Sequence, residues 1–319
     1  MSTTLSEETQ EHPTGDAAGT QHQTRADKRA AKKANGKHHT GRYFLLGLGI
    51  WLVLGLFVVV GLQNHIVMAS WAVMGAFLVP GTLVWAMAGR LRPDDSITVT
   101  DLFKFMLFGG LLAVSIGSTI DSIIGWLAPG ANGEPSMISY ALSGIAEEFA
   151  KAIIVVVLAR KMIKSVRNGL FLGGALGAGF AGFETLGYII WEPIRTGQFD
   201  GGHPTQLEAF VSLLRGVIAP IGHPLWTALL VAAIFAAAAA HNNRYRFTLG
   251  VLGAYLAVAL VHGLNDVGQT FVEEALGNGT LTNWAGDVYS VVLAIPVVLV
   301  WRHIARTHGA AKQELPVTA

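Results

Sequence analysis

Beyond its first forty residues the chain alternates long apolar runs with short polar punctuation. A bilayer core takes about 20 apolar residues per helix. Eight runs meet that length: 43–62, 66–89, 102–127, 138–160, 169–191, 209–240, 248–270 and 284–304. They are apolar all round or rich in Gly, which fits buried spans better than amphipathic surface helices. The pattern therefore predicts an all-α, polytopic membrane protein with eight transmembrane helices. Residues 1–41 break it, being rich in Thr, Gln, Glu, Lys and Ala with no large apolar side chain after Leu5. Such a stretch buries too little surface to offset its chain entropy. It reads as a disordered, basic cytoplasmic tail, followed by an eight-helix domain over 42–306 and a short cytoplasmic tail over 307–319. It does not read as a signal peptide, because the first apolar run begins too late and is too long.

Composition agrees with lipid as the solvent. The 319 residues are 52% hydrophobic and 13% charged, with a mean hydropathy of +0.48, where a soluble domain carries about 25% charged residues. The net charge of +1 gives no overall field that would attract nucleic acid. With no cysteine, thiolate nucleophiles, disulfides and Cys-ligated zinc are excluded.

Lys and Arg in the flanks set the direction of the spans. With the N-terminus inside, the cytoplasmic segments collect the seven basic residues between Arg25 and Arg42. They add Arg90, Arg92, Lys104, Arg160, Lys161, Lys164, Arg167, Arg244, Arg246, Arg302, Arg306 and Lys312, making nineteen of 22. Only Arg195 falls in an outer loop; Lys151 and Arg215 lie within spans. Both termini are expected in the cytoplasm, and a multi-pass protein of the inner (cytoplasmic) cell membrane follows. The Arg25–Arg42 run serves as a topogenic flank or touches anionic headgroups at about 1 kcal/mol per residue.

Several spans hold ionisable groups that lipid does not tolerate. On the insertion scale the ten strongly apolar residues of span four contribute about 3–6 kcal/mol, whereas Glu147, Glu148 and Lys151 cost about 7.5–10.5 kcal/mol. That helix needs partners for its charged face, and intramembrane charges are functional candidates by default. Helical spacing puts Gly144, Glu147, Glu148 and Lys151 on one face. Gly169, Gly173, Gly177, Phe180, Glu184 and Tyr188 stripe span five, where small residues admit a close neighbour. Arg215, Gly222, His223 and Thr227 align in span six, and Tyr255, Ala259, His262, Asp266 and Gln269 in span seven. Glu147, Glu184 and His262 fall at about 9–14 Å below the outer surface at 1.5 Å per residue. Pro220 and Pro224 remove donors inside span six, and the freed carbonyls are tolerated at that depth only against protein or a water-filled cavity.

Four short motifs stand in order on these four spans. Glu147-Glu148-Phe149-Ala150-Lys151 has the form E-E-x-x-K, and Phe180-Ala181-Gly182-Phe183-Glu184 the form F-x-x-x-E. His223 to Thr227 gives H-x-x-x-T, and His262 to Asp266 gives H-x-x-x-D. In order, spacing and membrane placement the chain resembles the PrsW family, bacterial relatives of the CAAX prenyl endopeptidases, from about residue 100 to 270. Thr185 stands where family members often carry Asn. The resemblance implies hydrolysis of a peptide bond in or near the membrane-spanning segment of a membrane-anchored protein. An anti-sigma factor is one substrate type it offers. The lipid bilayer is the other partner, and nucleic acid is not one.

Peptide hydrolysis needs a base for water, a donor or electrophile for the oxyanion and an acid for the leaving amine. Glu147, Glu148, Glu184, His223 and His262 are the catalytic candidates, with Glu147 as general base. The alternative for Glu147 is an ion pair with Lys151, which Glu148 can equally take. Lys151 holds and orients the carboxylates. Two schemes stand for the histidines. In one, His223 and His262 bind a zinc ion together with Glu184; in the other no metal is present and they position water or donate to the oxyanion. Asp266 or Asn265 is expected to orient His262. Thr227 either does the same for His223 or bonds its own helix backbone. Asp121 and Arg215 lie outside the motifs and read as locally hydrogen-bonded or snorkelling side chains. The competing functions are a catalytically inactive membrane scaffold or receptor, for which a lost motif residue would be expected, and a proton-coupled transporter, for which inverted repeats would be expected.

Overall fold

The computed structural model describes residues 40–62, 64–91, 96–131, 135–195, 206–276 and 280–308. The tails expected over 1–41 and 307–319 fall almost wholly outside these residues. The described residues are helical, with no strand beyond an isolated bridge between Pro129 and Pro135. Helix α1 runs Thr40–Val53 and continues, more widely wound, as Leu54–Gly61. Helix α2 is Met68–Ala86, extended through Met87–Leu91. Helix α3 is the continuous rod Val99–Leu127, α4 is Met137–Leu158 and α5 is Val166–Arg195. Helices α6, α7 and α8 are Gln206–Ala239, Leu249–Leu276 and Thr280–Thr307. The apolar runs of the sequence locate the ends of these helices to within four residues, save that α7 runs six residues beyond the expected end at 270.

Among the described residues, seven helices are long and apolar enough to cross a membrane: Thr40–Val59, Met68–Gly89, Val99–Leu127, Val166–Ile190, Gly222–Ala239, Leu249–Val272 and Val288–Thr307. The chain is thus a multi-pass membrane protein. Helix α4 is outside that set because it carries Glu147, Glu148 and Lys151. Its burial is inside out for a soluble helix. Gly144, Glu147, Glu148 and Lys151 are buried, while Ile138, Leu142, Ile145, Phe149, Ile153 and Val157 form an exposed apolar stripe.

Glycines decide which helices touch. Along the stripe of α5, a Cβ on Gly173 would lie 2.6 Å from the Thr227 carbonyl oxygen, and one on Gly177 2.4 Å from that of His223. Bare backbone at these points brings α5 and α6 together at the level of His223. The same device joins α4 to α7, since a Cβ on Gly144 would stand 2.4 Å from the Ala259 oxygen and 2.6 Å from the Gly263 nitrogen. Those are backbone atoms, which cannot rotate aside. Gly144→Ala is therefore expected to lower stability by about 1–3 kcal/mol, the usual range for overpacking, read as a reduced unfolding temperature of the detergent-purified protein.

At the end of the bundle away from Glu147's N-terminal turn, the α4–α5 and α6–α7 connections interlock. Asn242 and Asn243 take positive φ values of 53° and 63°, a region in which Asn is enriched. The Asn243 side chain accepts from the Lys164 backbone N–H at 2.7 Å and donates to the Met162 carbonyl at 3.1 Å. Helix α6 continues through Pro220 and Pro224 as one helix. The side chain of Arg215 lies outside the described residues.

Candidate active site

Lys151 lies at the centre of the site. Its ammonium is fully buried, a state that is costly unless paired and hydrogen-bonded. It donates to Glu148 Oε1 at 2.7 Å and to Glu147 Oε2 at 3.3 Å, both one turn away on α4. It reaches His223 Nδ1 on α6 at 3.0 Å and stands 3.8 Å above the Phe180 ring of α5. The E-E-x-x-K spacing makes this possible, because residues three and four apart share a helix face.

Glu148 gathers the other helices. Its Oε1 also accepts from His262 Nδ1 of α7 at 3.1 Å, and its Oε2 from Thr227 Oγ1 of α6 at 3.4 Å. Its side chain is 0% exposed, against 8% for Glu147. His262 turns Nε2 to Glu147 Oε2 at 3.4 Å, with Asp266 Oδ2 at 3.6 Å. His223 presents Nε2 to Glu184 Oε2 at 3.0 Å. The two imidazole rings lie edge to face, 4.9 Å apart, and Trp226 packs on both, at 4.6 Å from His262 and 5.4 Å from His223.

All nine residues singled out on the four motifs are thus joined by one network. Asp266 accepts from Ser143 at 2.8 Å and from Asn265 at 3.2 Å. Thr227 donates to Glu148 at 3.4 Å. Glu184, expected beside both histidines, touches His223; the donor group that comes together is Glu147, His223 and His262, one atom of each lying within 4.8 Å of the others. Thr185 is fully buried and its hydroxyl lacks a hydrogen-bond partner.

Asp121, read from the sequence as a locally hydrogen-bonded or snorkelling side chain, lies beside the site. Its buried Oδ1 has no hydrogen-bond partner, which removes the local-bond reading for that atom. The carboxyl instead interacts across space with His262, Glu184, Asp266 and Lys151. Gly117, one turn earlier on α3, faces Glu147, whose Cγ would be 3.3 Å from an added Cβ. The Gly117–Asp121 spacing was the available signal. Trp226 and Ser143 were passed over, the first because an indole reads as core.

Two imidazoles and a carboxylate are the donors zinc takes in catalytic sites, where it keeps a further position open. His262 also has the carboxylate on its second nitrogen that commonly orients a metal-bound imidazole. The residues therefore fit a metal ion by type and proximity.

Carboxylates and imidazoles converge inside a bundle of membrane-length helices, the donor set that hydrolysis within the bilayer requires. Residues 99–301 match the model of the PrsW family, described as intramembrane metalloproteases. The chain belongs to that family and is a peptidase. No curated protein and no solved structure gives a match to it.

Proposed function

We propose that the peptide bond is hydrolysed where Glu147, His223 and His262 meet, with Glu147 as general base. One observation carries this choice: of the adjacent carboxylates, Glu148 is 0% exposed and fully engaged, whereas Glu147 is 8% exposed. Glu147 Oε2 faces Lys151 and His262, and Oε1 makes no hydrogen bond among the described residues. Oε1 takes the proton of the attacking water and passes it to the departing amine. Glu148 holds His262 by Nδ1, which turns Nε2 toward Glu147. Glu184 holds His223, and Asp266, itself held by Ser143 and Asn265, stands 3.6 Å from the same Nε2 of His262 that faces Glu147. Zinc is the metal we assign to the Glu147, His223 and His262 donors; when bound it would polarise the scissile carbonyl and acidify the attacking water.

Helix α4 is the eighth span: its outward stripe suits lipid and its charges are satisfied inside. The asymmetry of Lys and Arg in the flanks puts both termini in the cytoplasm of a cell-membrane protein. Side-chain exposure rises from Glu147 at 8% to Glu184 at 17% and Asp266 at 25%, so water and substrate approach from the outer half. The substrate is a membrane-anchored protein; an anti-sigma factor is one type the family resemblance offers.

Co-expression with single-span candidate substrates tests this reading. His223→Ala and His262→Ala should yield no cleaved product, and zinc at about one per chain in zinc-loaded wild type should be lost in His262→Ala. Cleavage by the variants at the wild-type rate would remove the proposal.

A further inference from the structure

The Lys151 ammonium stands on the edge shared by two of the three metal donors, 3.3 Å from Glu147 Oε2 and 3.0 Å from His223 Nδ1. An ammonium has only donors, so His223 Nδ1 accepts from it. The imidazole proton then sits on Nε2, where it donates to Glu184 Oε2 at 3.0 Å. Both ring nitrogens of His223 are thereby committed, and its one lone pair is held by Lys151. This tautomer follows from the donor inventory of the neighbours.

We propose that Lys151 is the resident cation of this centre, and that a divalent ion enters only by displacing its ammonium from His223. The proposal rests on the donor set assigned above. Every group facing Nζ suits a positive charge: two carboxylates, an imidazole lone pair and the face of Phe180. A divalent ion at Glu147 and His223 would meet that charge at close range in a weakly screened interior, where like charges repel strongly. Lys151 thus lowers the affinity of the centre for metal while keeping its carboxylates ordered when no ion is bound. The ion and the ammonium are alternatives for one place.

Zinc affinity of the detergent-purified full chain, measured by competition with a chromogenic chelator, tests this. Lys151→Met keeps the length of the side chain and removes its charge; it should bind zinc at least about tenfold more tightly than wild type, while Lys151→Arg should bind no more tightly. Equal or weaker binding by Lys151→Met overturns the proposal, since a purely structural lysine would give that result. Tight zinc in Lys151→Met with none in wild type would overturn the zinc assignment yet uphold the role of Lys151. Stoichiometric zinc in both at equal affinity would do the reverse. Should Lys151→Met fail to fold, histidine ¹⁵N spectra of wild type decide: zinc must shift His223 Nδ1 from a hydrogen-bonded to a metal-bound signal, and zinc binding that leaves Nδ1 unchanged refutes displacement.

Discussion

Glu147→Gln should leave the protein folded and slow cleavage of a membrane-anchored substrate by about a hundred- to ten-thousandfold, the contribution of a general base. The substitution keeps the volume of the side chain and an oxygen for Lys151, but removes the carboxylate that takes the proton from water. Glu147 is also the less enclosed of the pair, so its loss disturbs packing least. Single-turnover cleavage in reconstituted vesicles, run beside a thermal unfolding curve, separates the two effects. A rate within a factor of a few of wild type would reassign the base, with Glu184 next in position through its contact with His223.

The second large effect is expected at Glu148, and it is one of stability. Glu148→Ala strips Lys151 of its closest partner at 2.7 Å, and removes the acceptor for His262 and for Thr227. Deleting one member of a buried ion pair costs about 3–5 kcal/mol, because the remaining charge is left uncompensated. Little folded protein should survive detergent extraction, and the survivors should be inactive because His262 has lost its anchor. An unfolding midpoint equal to that of wild type would show that Glu148 is not the junction between α4, α6 and α7.

The comparison of these two neighbours shows what the sequence could and could not convey. Helical spacing placed Glu147, Glu148 and Lys151 on one face, and the insertion cost of their charges required polar partners on other helices. The Gly stripe of α5 identified the face that meets α6, since only small residues permit backbone contact. Which carboxylate would be sealed and which left open depends on side chains arriving from α6 and α7, such as Thr227 and His262, and periodicity within α4 carries no trace of that. The place of Glu147 in the donor group, with Glu184 turned to His223, depends likewise on how far α4 and α7 approach through Gly144 and Gly263. Asp121 reads from the sequence as a locally bonded side chain because it sits alone on α3 with no motif around it. The sign of its involvement was physical: an ionisable group in a span with no cation at helical spacing.

The inverted burial of α4 also constrains how the chain is made. As it emerges, this helix offers a lipid-compatible stripe on one side and three charges on the other, and its central charges each oppose insertion by about 2.5–3.5 kcal/mol. The hydrogen-bond partners of the disfavoured side on other helices, His223, Thr227 and His262, are synthesised 72 to 114 positions later along the chain. Helix α4 must therefore be sheltered, by the insertion machinery or by its earlier neighbours, until α7 has been threaded. The polar face of α4 is closed and the catalytic group assembled by the same event, the arrival of His262 at Glu148.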